Sequence, residues 1–259
     1  MVANSELQRV GLNGWRTGLA NLLHKENRAW WASRRWLVQS LLWTVLMNGV
    51  VALNMYADGV TEDSVSMAIA QLFQMGALAL PVGAILLAHA ETVSERQLGV
   101  TEWLLSKPVS RPAYVLSKLL AHGLGVLVVL VGLQSALGYG VLWLLAGAPL
   151  PLTPYLVSVA GLAVNTLFYL TLTLMMGVLT SQRGALLGAP LGILLGGLLF
   201  GGFLGTLLLV TPWALLQVLP AVVQGVTLPV PIWVSIGVTA LLTAVFVAVA
   251  LVRFERLEF

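Results

Sequence analysis

A chain of 259 residues that is 59% hydrophobic and only 9% charged, with a mean hydropathy of +0.94, does not suit a soluble fold, where about 25% of residues are charged. Its long continuous apolar runs point to an all-α integral membrane protein, because alternating hydrophobicity would mark a barrel. The absence of cysteine excludes disulfides, thiolate metal sites and cysteine nucleophiles, and a formal charge of +3 is too small to suggest a nucleic-acid partner.

Residues 1–36 are polar to amphipathic and lack the closely spaced basic and apolar regions of a secretory signal. Within them, "WRTGLANLLHKENRAWWASRRW" places Trp15, Leu19, Leu22, Leu23 and Trp30 on or near one helical face, with Arg16, Lys25 and Arg28 mostly elsewhere. That pattern predicts an amphipathic helix at the membrane interface, or one that binds a soluble partner. Windows long enough to cross about 30 Å of hydrocarbon then fall at 37–57, 67–90, 119–146, 155–180, 185–210 and 231–252, giving a single six-span transmembrane domain.

Between the second and third windows lies "ETVSERQLGVTEWLLSKPVSRPAYVLSK", residues 91–118. Seven charged residues sit there: Glu91, Glu95, Arg96, Glu102, Lys107, Arg111 and Lys118. Ser94 with Gln97 offers a capping box for a helix starting at Glu95. Lys107-Pro108 ends it, since a residue before proline disfavours helix. Ser110 can then cap a new helix with Arg111 and Pro112 in its first turn. The expected product is a short amphipathic helix, a turn and a helix continuous with the third span. Such a piece can press on a partner; the alternative is a solvated loop on lipid headgroups.

The fifth window carries two rows of glycines four residues apart: Gly184, Gly188, Gly192 and Gly196, then Gly197, Gly201 and Gly205. Such rows let another backbone approach closely, within the chain or in a second copy. Pro190 is expected to kink this span. The outer connection, "TPWALLQVLPAVVQGVTLPVP", is broken by Pro212, Pro220, Pro229 and Pro231. It reads as short or re-entrant helices, with Thr211 as N-cap and Pro212 at the first helical position.

All 13 Lys and Arg fall on the side that carries both termini and the 91–118 connection, whereas the opposite loops hold only Asp58, Glu62 and Asp63. Basic residues stay inside during insertion, so an inner-membrane protein with cytoplasmic termini is expected. Trp30, Trp31 and Trp36 would mark the inner interface, and Tyr56, Trp143, Tyr155, Trp213 and Trp233 the outer one.

No Asp, Glu, Lys or Arg lies in the middle of any window, against an ion-coupled carrier. The polar residues there, Asn48, Gln71, Gln74, Gln134 and Asn165, are expected to bond between helices. His24, His89 and His122 fall near the inner boundary without metal-ligand spacing, although His89 and Glu91 lie close enough in sequence to share an ion. Neither H-E-x-x-H nor G-x-x-x-x-G-K-[ST] occurs. No catalytic or metal-ligating residue is therefore assigned, and any ATP-derived energy has to arrive from another subunit.

The stretch "SERQLGVTEWLLSKPVSRPAYVLSKLLAHG" resembles the loop between the second and third spans of ABC type-2 permeases, loosely E-x-x-x-G-T-x-E-x-L-L-x-x-P-x-x-R and then a lysine. Glu95, Gly99, Glu102, Leu104, Leu105, Pro108, Arg111 and Lys118 match, while Thr101 is displaced by one position. Lys25-Glu26-Asn27-Arg28 is similar to the start of the family's N-terminal segment. The resemblance implies a pathway formed with a second copy or a related permease in the bilayer. It also implies a separate cytoplasmic ABC ATPase that binds ATP and Mg. Glu91, Glu95, Leu98, Gly99, Glu102, Trp103, Leu104, Leu105, Pro108 and Arg111 would form the coupling element that the ATPase holds. It implies that the first, second and fifth spans contribute to the subunit interface or pathway, and that this chain is not itself an enzyme and needs no cofactor. Exporters of various cargoes share this loop, and so do proteins assisting metalloenzyme maturation, so a non-transporting scaffold or mechanotransmitter stays open. The substrate is not legible.

Overall fold

In the computed structural model, residues 14–97, 107–180 and 182–256 are described. Among them all regular structure is helical, and six helices are long and apolar enough to cross a membrane. The chain is an all-α integral membrane protein. An N-terminal helix, α1 (Leu19–Ala32), precedes the first span, α2 (Trp36–Ala57). Then follow α3 (Glu62–Gln97), α4 (Arg111–Ala146) and α5 (Leu152–Leu179). The fifth span is α6 (Arg183–Phe200), extended by a 3₁₀ segment, Gly201–Val210. Two short helices, α7 (Ala214–Gln217) and α8 (Leu219–Val223), lead to the sixth span, α9 (Ile232–Glu255).

Helix α5 lies at the centre, packed against α3, α4, α6, α8 and α9. Its side chains at Tyr169, Leu170, Leu162, Asn165 and Thr166 are almost wholly enclosed. By contrast, α2, α6 and α9 are peripheral and leave most of their apolar surface uncovered. In a membrane that surface needs no protein cover, because lipid tails are as apolar as leucine.

Several details depart from the sequence reading. Helix α3 runs unbroken for 36 residues, about 54 Å at 1.5 Å per residue, and therefore projects well beyond the hydrocarbon. Ser94 consequently caps no new helix: the backbone is already helical before it and stays so through Gln97. Helix α6 runs with Pro190 inside it, and beyond its end the backbone leaves helical geometry at Gly205 (φ 53°, ψ −130°), a break the sequence reading did not place. Gly201, Gly202 and Gly205 weaken the helix there, and at Gly205 the positive φ suits glycine.

Thr211 does not act as a side-chain cap. Its hydroxyl donates back to the Leu208 carbonyl (2.7 Å), and α7 begins only at Ala214, after Trp213. Pro212 thus occupies a turn. The two short helices fold back among the spans, as the re-entrant alternative expects: Trp213, just ahead of α7, donates its Nε1–H to Ile193 O (3.0 Å) well inside the fifth span, and Ala214, Leu215 and Leu219 are fully buried in the main core. Ser158 donates to Leu219 O (3.0 Å), and Gln224 Nε2 donates to Ser66 O and Oγ (both 2.9 Å).

Two spans contain a π-helical turn, Thr44–Gly49 in α2 and Leu127–Gly132 in α4. Each is a local widening that admits an extra residue into the helix.

Candidate coupling region at the basic end

The basic end of the bundle brings α1, the start of α4 and the end of α9 into one block. Ser110 caps α4 as its sequence suggests, accepting from the Ala113 N–H at 3.3 Å, with Pro112 in the first turn. The same residue holds the chain ahead of α1: its N–H donates to Thr17 O (3.0 Å) and its hydroxyl to Trp15 O. Gly18, at φ 80°, then turns the chain into α1.

From there α1 runs parallel to α4. Leu22, Glu26 and Trp30, spaced four apart, form its buried stripe. Leu22 packs with Ala113, Tyr114 and Val115 in a small apolar cluster separate from the main core. One turn on, Glu26 Oε1 lies 3.8 Å from Lys118 Nζ and 3.3 Å from Lys25 Nζ. Two carboxylate-lysine contacts with side chains only 8% and 11% exposed at Glu26 and Lys118 make a largely desolvated ion pair. Trp30 ends the stripe, edge-on to His122 (centroids 6.0 Å apart), with its indole against Gly125. A Cβ at Gly125 would come within 2.3 Å of that ring, so the close approach needs glycine.

The C-terminal end of α9 closes the block. Phe254 stacks on Tyr114 (5.2 Å, 14°), and Arg111 Nη1 donates to Glu255 O at 2.6 Å. Lys118 Nζ also lies over the Tyr114 ring, 5.2 Å from its centroid. A push applied to the start of α4 would therefore be shared at once with α1 and α9.

Of the residues expected to form the coupling element, Glu91 and Glu95 lie in the last turns of α3. Pro108 is exposed in the short turn before α4, and Arg111 is its first residue. Leu98, Gly99, Glu102, Trp103, Leu104 and Leu105 lie outside the described residues. Glu26, Lys118 and His122 were not marked as a cluster, although a glutamate centred in the Leu22–Trp30 stripe was a visible signal. Among the described residues no group of His, Asp or Glu could hold a metal ion.

The glycine rows behave differently from each other. A Cβ at Gly184, Gly188, Gly192 or Gly196 would meet nothing within 4 Å among the described residues. At Gly197 it would come within 2.2 Å of Trp213, whose Nε1 donates to Ile193 O (3.0 Å), and at Gly201 within 2.8 Å of Gln217. Gly205 is open, and its role is conformational.

The interfacial aromatics also divide. Tyr56, Trp143 and Trp233 are exposed, whereas Trp30 and Tyr155 are core residues. The Tyr155 hydroxyl donates to Ser135 O, and its ring packs edge-on against Phe73 and Tyr139.

Most of the mid-span polar residues bond between helices. Asn48 Nδ2 donates to Gln134 Oε1 (3.0 Å), Asn165 Nδ2 to Ala77 O (2.8 Å), and Asn54 Nδ2 to Gln71 Oε1 (3.0 Å). Gln74 stays exposed and lines, with Asn54, Ser64 and Gln71, an open groove of about 380 Å³ between α2 and α3.

This arrangement defines a class: a polytopic helical membrane protein whose connection between the second and third spans leads into a braced helix. Residues 20–259 match the family described as ABC-2 family transporter protein, and the chain belongs to that family. It is also similar to the probable ABC transporter permease protein NosY of Pseudomonas aeruginosa, 33% identical over 108 residues, or 41% of this chain and 38% of that one. The protein of the same name from Stutzerimonas stutzeri is 33% identical over 108 residues, with 37% of its length covered. The matched stretch thus spans well under half the length of these relatives.

Proposed function

We propose that this chain is the membrane-spanning permease subunit of an ABC transporter of the inner membrane, with both termini cytoplasmic. A separate cytoplasmic ATPase docks on the 91–118 connection. ATP binding and hydrolysis there drive α4, and with it the braced block of α1 and α9, so that a pathway formed with a second permease copy moves its cargo outward. The family match over 20–259 carries this reading. Its support in the chain itself is the braced start of α4 directly behind the connection, together with the absence of a P-loop sequence.

The second copy is proposed to meet the Gly184–Gly188–Gly192–Gly196 row. Among the described residues no side chain fills that row, and glycines four apart permit close helix contact in a membrane.

The test is to express the chain with the proteins encoded beside it, isolate the assembly in lipid, and measure ATP turnover. Recovery of a stable ATPase whose turnover depends on this chain supports the reading. A fully active assembly with no ATPase overturns it.

A further inference from the structure

From the two π-helical turns we infer that Gln134 is a positioning residue that locks the helical registers of α2 and α4 to each other, so that the two spans change register together. Thr44–Gly49 and Leu127–Gly132 each span six residues, and each ends in glycine. Gln134 lies two residues beyond the second segment and is fully buried. Its Oε1 accepts from Thr44 Oγ1 (3.1 Å) and Asn48 Nδ2 (3.0 Å), both in the π turn of α2. Its Nε2 donates to Ser40 O (3.3 Å), four residues ahead of that turn, and to Val129 O (3.4 Å) inside the π turn of α4. Asn48 Nδ2 also reaches the Gln134 carbonyl (3.3 Å). One carboxamide therefore holds both widened turns.

A π turn relaxes to α by shifting the hydrogen-bond register by one residue, which rotates the helix beyond it by about 100°. Either turn relaxing alone would carry its groups away from Gln134 and leave polar atoms unsatisfied in an apolar interior. The location gives the link a purpose. The π turn of α4 lies in the main core, immediately beyond the block at the basic end, and so forms the joint between the two. Through Gln134, motion of that block reaches α2, a peripheral span with little packing to resist it. This purpose rests on the coupling role proposed above; the hydrogen-bonded link does not.

The experiment uses the full chain in lipid nanodiscs and amide hydrogen exchange, comparing wild type with Gln134→Met. Exchange is expected to rise about tenfold in both Ser40–Gly49 and Leu127–Gly132, with Leu19–Ala32 unchanged. Acceleration confined to Leu127–Gly132, or none, overturns the link. If exchange rises throughout the chain, Asn48→Leu decides: acceleration that extends to Leu127–Gly132 supports the link, and acceleration confined to α2 overturns it. The chain has no native cysteine, so spin-label pairs at Leu41→Cys/Leu53→Cys and Leu120→Cys/Leu144→Cys can report across each π turn in the assembly with its ATPase. ATP should shift both distances in wild type but only the α4 pair in Gln134→Met. Equal shifts of both pairs in Gln134→Met overturn the link. If ATP shifts neither pair in wild type, the coupling role fails, and the exchange result still decides the link.

Discussion

Asn165 in α5 donates its side-chain N–H to the Ala77 carbonyl of α3 at 2.8 Å. Ala77 is four residues ahead of Pro81, so the carbonyl it serves is the one that proline, lacking an N–H, leaves without a helical donor. In a lipid-embedded helix such a carbonyl has no water to turn to, and a neighbouring helix has to satisfy it. The second span thus keeps its proline because the central span supplies a donor.

Removing that donor exposes the dependence. Asn165→Leu should cost about 1–3 kcal/mol of stability through the orphaned carbonyl. In a Pro81→Ala background, where residue 81 has its own N–H, the same substitution should cost distinctly less. Thermal unfolding of the four proteins in detergent forms a double-mutant cycle. A coupling term near zero would separate Asn165 from Pro81.

The Glu26–Lys118 pair makes a second prediction. Glu26→Ala removes the carboxylate beside a lysine that is largely buried, and breaking such a pair should cost roughly 3 kcal/mol. Replacing both partners, Glu26→Leu with Lys118→Met, should be better tolerated, because no charge then stays desolvated. Limited proteolysis between α1 and the first span would report loss of the clamp. Equal protection of wild type and Glu26→Ala would show that the apolar contacts of Leu22 and Trp30 suffice.

These two pairs show what the sequence could and could not disclose. Six spans were legible because each is a continuous apolar run, and hydrocarbon thickness sets the length that such a run needs. Asn165 and Gln134 were recognisable as interhelical bonders, but their partners were not. Ala77 and the π turns are backbone features that leave no distinctive side chain in the sequence. The capping box at Ser94 failed for a related reason: a local cap signal cannot compete with a helix that already runs through it. The glycine rows looked equivalent as a four-residue repeat. Only the fold shows that Trp213 fills one of them at Gly197 while Gly184, Gly188, Gly192 and Gly196 stay open.

The coupling element leads to a functional prediction. Glu102→Ala with Trp103→Ala should leave the protein inserted and assembled but lower transport per ATP hydrolysed by about tenfold. Arg111→Gln, which weakens the tie to Glu255 O, should act in the same direction but less strongly, since Phe254 and Tyr114 still join α9 to α4. Both are checked by measuring cargo movement and phosphate release in the same vesicles. Unchanged transport in the double variant would remove the coupling assignment.

The two glycine rows separate folding from assembly. Gly197→Ala places a methyl group where the Trp213 indole lies, and overpacking of this kind should cost about 1–3 kcal/mol in the isolated subunit. Gly192→Leu adds more bulk where none of the described residues stands within 4 Å, so subunit stability should hardly change. What it should alter is the approach of a neighbouring helix, read as a loss of dimer by native mass spectrometry from lipid nanodiscs. A full dimer with Gly192→Leu would mean that the open row faces lipid and that the second copy binds elsewhere. An unchanged melting temperature with Gly197→Ala would mean that Trp213 can leave its place at no cost, against the hydrogen bond that holds its indole to Ile193.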